Sequence, residues 1–223
     1  MQDTIGENIA IIKQKIASAC KAVGRDPMEV TILAATKTVE TERINRLAEF
    51  GILLAGENRV QEFLDKYGAV KKTEWHFIGT LQTNKVKYMV DKVSLIHSLD
   101  RIQLVDEIER QSERRGIVSE VLLEINGGAE LSKSGICVEQ VEALYRYVKG
   151  KPHIRVRGFM PVLPINADDK LYAQMNGLFC AYRAKDKNIS VLSMGMSGDY
   201  ETAIKYGATL VRLGSCIFGE RIK

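Results

Sequence analysis

The sequence predicts an α/β protein, a single (β/α)8 TIM barrel preceded by an N-terminal helix. Eight short, nearly continuous apolar runs, typical of parallel strands buried on both faces, alternate with helical periodicities. An open sheet rarely needs eight such strands, whereas this closed barrel does. The chain has 223 residues, close to the roughly 250 of such barrels, and contains no linker-like segment. We therefore expect one domain over residues 1–223.

The elements follow one another regularly along the chain. A capping-box spacing at residues 4–7 and an apolar stripe through residues 5–23 predict the N-terminal helix. The eight apolar runs that predict strands are residues 30–36, 52–55, 75–78, 93–99, 121–125, 156–160, 190–194 and 209–213. Five intervening helices are expected to end at a glycine in the left-handed conformation: Gly51, Gly68, Gly116, Gly150 and Gly207.

Composition excludes several classes of protein. The formal charge of +4 is a weak basic excess that does not by itself imply nucleic acid. No apolar run approaches the roughly 20 residues that span a bilayer, and Asp3 and Glu7 precede any apolar stretch, unlike a secretory signal. The four cysteines and three histidines are too scattered for a zinc site, so we expect no metal. We expect a reduced, cytoplasmic protein whose cysteines act as small core side chains.

Lys37 directly follows the first predicted strand. Functional groups of such a barrel lie at the carboxyl ends of its strands, so the amine is expected near the mouth. Burial lowers the pKa of a lysine and frees its amine to attack carbonyls, which gives Schiff bases. A lysine that extends to solvent explains the position equally well. The same rule selects Glu57, Asn58, Gly79, residues 98–100, Asn126, Met160, residues 194–199 and residues 212–215.

Two turns rich in Gly and Ser follow the seventh and eighth predicted strands, at residues 194–199 (MGMSGD) and 212–215 (RLGS). Backbone amides at such turns bind phosphate, and this is the usual phosphate location in the fold. Each turn alone is a weak signal, because Gly-Ser turns are common and Asp199 also suits a helix cap. Their coincidence favours a phosphate site, although neither matches a P-loop or dinucleotide motif.

A phosphate site together with a Schiff-base lysine points to pyridoxal phosphate, whose ring nitrogen also needs a partner. Arg212, at the end of the eighth predicted strand, is a candidate for that role. Because arginine keeps its proton, it would leave the pyridine nitrogen unprotonated and weaken the cofactor as an electron sink. A salt bridge inside the barrel explains Arg212 almost as well.

Several motifs resemble the pyridoxal phosphate homeostasis proteins, relatives of the N-terminal barrel of alanine racemase. These motifs are ATKT at 35–38, GENRVQE at 56–62, WHFIG at 75–79 with residues 81–85, LSMGMS at 192–197, VRLGS at 211–215 and IFG at 217–219. The resemblance covers essentially the whole chain. Three features depart from it: Ala55 replaces a frequent aromatic, Ser215 a frequent threonine, and residues 161–164 (PVLP) a small-residue turn. The last change is expected to alter the outer pocket.

The resemblance implies that the barrel binds pyridoxal phosphate. Lys37 would form the Schiff base, Asn58 would lie beside the cofactor, and Arg212 would face the pyridine nitrogen. The residues implied to hold the phosphate are Ser197, Gly214 and Ser215. Those that fit the family pattern with less defined roles are His76, Glu130, Lys133 and Gly135.

The resemblance also implies cofactor storage, delivery or homeostasis, without an established reaction. Racemisation needs acid/base groups on both faces of the substrate carbon, and alanine racemases take the second from a C-terminal β-domain of a partner subunit. Since the chain ends soon after the eighth strand, we expect a monomeric carrier without catalytic turnover, serving apo-enzymes that require pyridoxal phosphate. The alternative is a minor amino-acid racemase, lyase or transaminase.

Binding of RNA or a partner by lysine-rich residues 66–92 is disfavoured, because charge runs usually mark solvated faces. We therefore expect neither nucleic acid nor membrane as a partner.

Overall fold

Eight parallel strands form the centre of the molecule in the computed structural model, which describes residues 4–128 and 134–219. They are β1 (Thr31–Ala35), β2 (Leu54–Glu57), β3 (Glu74–Phe77), β4 (Leu95–Leu99), β5 (Ser119–Asn126), β6 (Ile154–Val162), β7 (Val191–Met196) and β8 (Leu210–Leu213). Each strand pairs with the next in sequence, and β1 also pairs with β8, so the sheet closes. The prediction of a (β/α)8 barrel is confirmed.

Helices surround the barrel and connect its strands. The α-helices are α1 (Ile5–Lys21), α2 (Thr41–Asn45), α3 (Val60–Tyr67), α4 (Ile102–Arg115), α5 (Val141–Lys149), α6 (Asp169–Arg183), α7 (Tyr200–Lys205) and α8 (Ser215–Phe218). Short 3-10 helices occupy Pro27–Glu29, Arg46–Phe50, Thr83–Tyr88 and Val138–Gln140. No described helix combines the length and apolar character that crossing a membrane requires.

The N-terminal helix α1 packs against α7 and α8. Its apolar stripe is buried as predicted, from Ile5 to Ile16. Two details of the prediction are wrong: Val23 lies beyond the helix and is exposed, and the Thr4 side chain makes no capping hydrogen bond. Tertiary packing of the apolar face therefore holds α1 in place without a capping hydrogen bond from Thr4.

Strand β6 is longer than predicted and extends to Val162. Pro161 and Val162 therefore lie in the strand, where they pair in register with Ile125 and Asn126 of the equally long β5. The first two residues of the altered segment 161–164 thus extend the strand, and Leu163 and Pro164 follow it. Strand β2 lies two residues further along the chain than predicted, because it starts at Leu54 and leaves residues 52–53 in the preceding connection.

Three of the five glycines expected to end helices in the left-handed conformation do so, with φ of 76°, 62° and 87° at Gly51, Gly116 and Gly207. The expectation is wrong for Gly68 and Gly150, which have φ of −81° and −78°. Right-handed backbone at these two positions continues the helical turn for one more residue, so no left-handed cap forms.

The barrel interior is divided between apolar and polar side chains. Leu95, Leu122 and Met160 form a small apolar cluster, separate from the main core that lies between the barrel and its helices. Other interior positions carry polar side chains that are buried as well: His76, His97, Ser193 and Arg212. All four cysteines are free thiols, but only Cys20 is fully buried, so the expectation of core cysteines applies to that residue alone.

Candidate functional site

A cavity of about 230 Å³ opens at the carboxyl ends of the strands. The residues around it are Ala35, Lys37, Asn58, Ile78, Gly79, Thr80, Glu124, Ser134, Met160, Val162, Met196 and Arg212. An apolar cavity of about 150 Å³ holds benzene, so this volume accommodates a six-membered ring with substituents. Within residues 4–128 and 134–219, no group of three His, Cys, Asp or Glu side chains is placed to hold a metal ion.

The cavity brings together three residues predicted from the sequence: Lys37 after β1, Asn58 after β2 and Arg212 in β8. They are far apart in sequence, and the closure of the barrel places them around one space. Gly79 and Met160, also selected by the strand-end rule, line the same cavity. Glu57 does not face it, since its side chain is fully buried against Lys66.

The two Gly/Ser turns predicted to hold phosphate meet each other. The Ser197 hydroxyl after β7 accepts hydrogen bonds from the backbone N–H groups of Gly214 (3.2 Å) and Cys216 (3.4 Å) after β8. Asp199 braces the first turn by accepting from the Met196 N–H at 2.7 Å, and its side chain does not cap α7. The hydroxyl and amide groups of the two turns are therefore adjacent.

Lys37 is held between two backbone anchors that both depend on Lys66. The buried Lys66 ammonium donates to the carbonyl oxygen of Thr36 (2.8 Å) and to the carboxylates of Glu57 (2.7 Å) and Glu62 (2.6 Å). The Glu62 carboxylate in turn accepts from the Thr38 N–H, on the other side of Lys37.

Thr38 has φ of 64°, a left-handed conformation that is costly for a residue with a branched side chain. The hydrogen bond from its N–H to Glu62 helps to hold that conformation. Burial raises the pKa of Glu62, but the hydrogen bonds from Lys66 and Thr38 outweigh it and leave the pKa lowered. The ionised carboxylate thus maintains the turn that carries Lys37.

Arg212 is held by Ser193 of β7. One guanidinium nitrogen, Nη1, donates to the Ser193 carbonyl oxygen (2.5 Å) and hydroxyl (2.8 Å). Burial lowers the pKa of Arg212 to about 10. The negative charges of Asp199 and Glu124 act in the other direction and offset only part of this effect. No ion pair of Arg212 is formed with a carboxylate of residues 4–128 or 134–219; the nearest acidic influences on it are the charges of Asp199 and Glu124.

The less defined candidates have different placements. His76 lies in β3 and is buried in the barrel interior, where its Nδ1 is 2.9 Å from Nε2 of His97. It does not line the cavity. Gly135 follows the cavity residue Ser134, and Glu130 and Lys133 fall outside the described residues.

Glu124 is a cavity residue that the strand-end rule missed. It lies inside β5, is only 3% exposed, and its Oε1 accepts a 2.5 Å hydrogen bond from the Ser134 hydroxyl. Burial raises the pKa of this carboxyl. The one signal in the sequence is an acidic residue within the otherwise apolar run 121–125.

Two polar atoms of the cavity wall have no hydrogen-bond partner among the described residues: Oδ1 of Asn58 and Oε2 of Glu124. Buried polar atoms are costly to leave unpaired, and active sites are where such atoms are found. Together with the Arg212 guanidinium and the Ser197 turn, they make a donor and acceptor set suited to a polar, anionic, single-ring ligand.

Fold and site together define a class: a (β/α)8-barrel protein with a lysine, an asparagine and an arginine around a small cavity at its carboxyl mouth. The model of the alanine racemase N-terminal domain family matches residues 2–222 of this chain. A pyridoxal phosphate homeostasis protein of Aquifex aeolicus is 43% identical over 222 residues, covering 96% of this chain and 97% of the relative. The one from Escherichia coli K12 is 35% identical, with 97% of each chain covered.

The solved structures include a similar protein, PipY of Synechococcus elongatus PCC7942, whose structure has pyridoxal phosphate bound. It is 26% identical, with a TM-score of 0.78, and the match covers 92% of this chain and all of that one. The chain belongs to the pyridoxal phosphate homeostasis protein family, within the alanine racemase N-terminal domain group.

Proposed function

We propose that this chain binds pyridoxal 5′-phosphate and serves its intracellular homeostasis by storing and delivering it, without catalytic turnover of its own. The observation that carries the proposal is the placement of Lys37, Asn58 and Arg212 around one 230 Å³ cavity. The names of the relatives and the cofactor bound in PipY support the same ligand.

Each group of the cavity has a role in this proposal. Pyridoxal phosphate supplies an aldehyde that condenses with a primary amine and releases water. Lys37 provides that amine at the mouth, and the Lys66 network fixes its backbone. Arg212 places a fixed positive donor at the cavity wall, where it binds the ring nitrogen without giving it a proton.

The adjacent turns after β7 and β8 would bind the phosphate. Ser197, Gly214 and Ser215 supply a hydroxyl and backbone amides there, and the Ser197 hydroxyl already accepts from the amides of Gly214 and Cys216. Asn58 would bind a polar substituent of the ring through its unpaired amide oxygen or, in the flipped orientation, its amide nitrogen.

The test is covalent attachment of the cofactor at Lys37. The purified full chain is mixed with pyridoxal phosphate, its visible spectrum is recorded, the adduct is reduced with borohydride, and the modified residue is located by mass spectrometry. We expect one modified peptide, containing Lys37, and loss of the protein-bound band in Lys37→Ala.

Lys170→Ala is a matched control, because Lys170 is exposed on the outer helix α6 and its removal leaves the cavity intact. This variant is expected to keep the spectrum of the original chain. A bound-cofactor band that survives Lys37→Ala, or an adduct at another lysine, would overturn the assignment of Lys37.

Minor amino-acid chemistry is a second candidate function, and Glu124 is the observation that favours it. Strands β1 and β5 lie on opposite sides of an eight-stranded barrel, so Lys37 and Glu124 approach the cavity from opposite walls. Glu124 would then be an acid/base group that the chain supplies itself. Incubation of the loaded protein with amino acids in deuterated water decides: exchange at the α-carbon that Glu124→Gln abolishes supports this function, and no exchange supports the carrier.

The monomeric state and the delivery to apo-enzymes belong to the same proposal. Sedimentation of the loaded chain should give a mass near 24.9 kDa. Transfer is tested by mixing the loaded chain with an apo-enzyme that requires pyridoxal phosphate. Reactivation faster than release of the cofactor into buffer supports direct delivery, and reactivation at the release rate contradicts it.

A further inference from the structure

A line of buried polar side chains crosses the barrel from the cavity to the opposite rim. It runs from Arg212 through Ser193, His97 and His76 towards Glu74, whose carboxylate marks the amino-terminal end of β3. The successive distances are 2.8 Å from Arg212 Nη1 to Ser193 Oγ, 3.1 Å to His97 Nδ1 and 2.9 Å from His97 Nε2 to His76 Nδ1. Glu74 Oε1 lies 3.8 Å from His76 Nε2, within ion-pair range.

The chemistry of Arg212 fixes the direction of the hydrogen bonds from one end. A guanidinium only donates, so the Ser193 oxygen accepts from it. The Ser193 hydroxyl is fully buried, and His97 Nδ1 is the acceptor within its reach. Donation of the Ser193 proton to Nδ1 leaves His97 with its own proton on Nε2, which it donates to His76 Nδ1.

Glu74 lies at the other end of the line. The nearby His76 and Ser94 side chains lower the pKa of Glu74 to about 2, so the group is a carboxylate. Its distance of 3.8 Å from His76 Nε2 is too long for a hydrogen bond and is that of a loose ion-pair contact. Because His76 Nδ1 accepts from His97, the His76 proton lies on Nε2, the nitrogen that faces this carboxylate. The direction set at the Arg212 end therefore gives both histidines a proton on Nε2.

The charges around His97 agree with a neutral ring. It is fully buried, and burial, reinforced by the positive charge of Arg212, holds its pKa well below the ordinary value. The adjacent positive charge of Arg212 opposes a second cation on His97. An imidazolium at this position would also present an N–H to the Arg212-bound hydroxyl and break the line.

We propose that Ser193, His97 and His76 are positioning residues that orient the Arg212 guanidinium in the cavity through a one-way line of hydrogen bonds that ends at His76, beside Glu74. The effect on the ligand rests on the proposed pyridoxal phosphate function; the direction of the line does not. Ser193 holds Arg212 directly, His97 keeps the Ser193 hydroxyl turned away from the guanidinium, and His76 fixes the tautomer of His97.

The direction of the line is tested first, without reference to the cofactor. The chain has three histidines, so long-range ¹⁵N–¹H spectra of the ¹⁵N-labelled full chain resolve each ring, and single substitutions assign them. We expect His76 and His97 to be neutral Nε2–H tautomers at pH 7. An Nδ1–H tautomer of either ring, or a charged His97, overturns the proposal.

The effect on the cavity is tested with pyridoxal phosphate as the probe. His97→Leu deletes both hydrogen bonds and should bind the cofactor about tenfold more weakly, with a shifted absorption maximum, while the borohydride-trapped adduct still forms at Lys37. His97→Gln keeps one acceptor and one donor and should recover most of the affinity. His153→Gln is the matched control, since His153 is half-buried outside the cavity and the line, with its Nδ1 2.8 Å from Glu109.

Unchanged affinity and spectrum in His97→Leu overturn the proposal. An original chain that forms no adduct contradicts the proposed function instead, and the tautomers then still decide whether the line exists. If His97→Leu does not fold, His97→Gln provides the comparison: a spectrum and affinity between those of the original chain and Ser193→Ala support the line, and values equal to those of Ser193→Ala contradict it.

Discussion

Replacing Lys66 by methionine should destabilise the fold and weaken cofactor attachment at the same time. The Lys66 ammonium donates three hydrogen bonds, to Thr36, Glu57 and Glu62, which is its full complement. Its side chain is 9% exposed and that of Glu57 is fully buried. Methionine fills a similar volume, so the change removes the charge and leaves the packing largely intact.

The magnitude follows from the charge that is left behind. Without Lys66, the buried Glu57 carboxylate keeps the Thr36 hydroxyl (2.7 Å) and the Asn58 N–H (3.2 Å) as its partners in the part of the chain that the structure describes, and neither is a cation. Removing one member of a buried ion pair costs about 3–5 kcal/mol, because the other charge stays buried and uncompensated. We therefore expect Lys66→Met to lower the free energy of unfolding by about that amount.

Urea denaturation at pH 7 measures the loss, and two further variants separate its causes. Glu57→Gln combined with Lys66→Met should recover part of the stability, since no unpaired charge remains buried. Lys71→Met is the control: Lys71 is exposed, and its loss should stay within about 0.5 kcal/mol. A loss below about 1 kcal/mol in Lys66→Met, or equal losses in the single and double variants, would refute the reasoning.

Three further predictions concern the cavity and the barrel interior. Gly79→Ala would place a Cβ 2.2 Å from the Asn58 carbonyl oxygen, so the backbone must shift; we expect a loss of about 1–3 kcal/mol by urea denaturation and weaker cofactor binding. Burial raises the pKa of Glu124 above the ordinary value of 4.5. The stability that this carboxyl contributes is therefore fully present below pH 4.5 and is lost as pH rises through the raised pKa. Glu124→Gln should remove this loss of stability with rising pH. The pKa of His97 is lowered, so the chain should lose stability as pH falls below 6.5, by about 1.4 kcal/mol per pH unit, and His97→Gln should flatten the profile. A variant profile parallel to that of the original chain would contradict the corresponding assignment.

The barrel could be predicted because its signals are local. Each strand–helix unit carries its own change of apolar period, and counting eight of them is enough to favour closure. The boundaries are less predictable, as residues 52–55 illustrate. Ile52 is buried and Leu53 is 52% exposed, but both precede β2. Apolar character alone does not separate a strand from a connecting segment that packs one side chain against the core.

The placement of Lys37, Asn58 and Arg212 around one cavity could be predicted for a different reason. Parallel strands of a barrel all end at one rim, so residues that follow strands are brought together by topology alone. Their roles towards a ligand stay predictions. Glu124 was missed because the rule selects residues after strands, and this side chain lies within β5 and reaches the cavity from the wall.

The polar line behind Arg212 could not be predicted, since its contacts join residues distant in sequence. His97 and Ser193 are 96 positions apart, and the bond between them depends on which side chains of β4 and β7 point inward at the same height. A one-residue change of register would turn either side chain to the other face of the sheet. Sequence periodicity does not fix register to that accuracy in strands that are apolar on both faces.

The polar line also limits how the site can change. Large aliphatic side chains normally fill the interior of such a barrel, as Leu95, Leu122 and Met160 do here. A buried polar network stabilises only when each member is satisfied, and a partly satisfied one is worse than an apolar interior. Replacing His97 alone by an apolar residue therefore leaves the Ser193 hydroxyl unpaired. Replacing the whole line would restore packing but leave the Arg212 guanidinium without its anchor. Stability of the interior and orientation of the cavity arginine thus depend on the same hydrogen bonds.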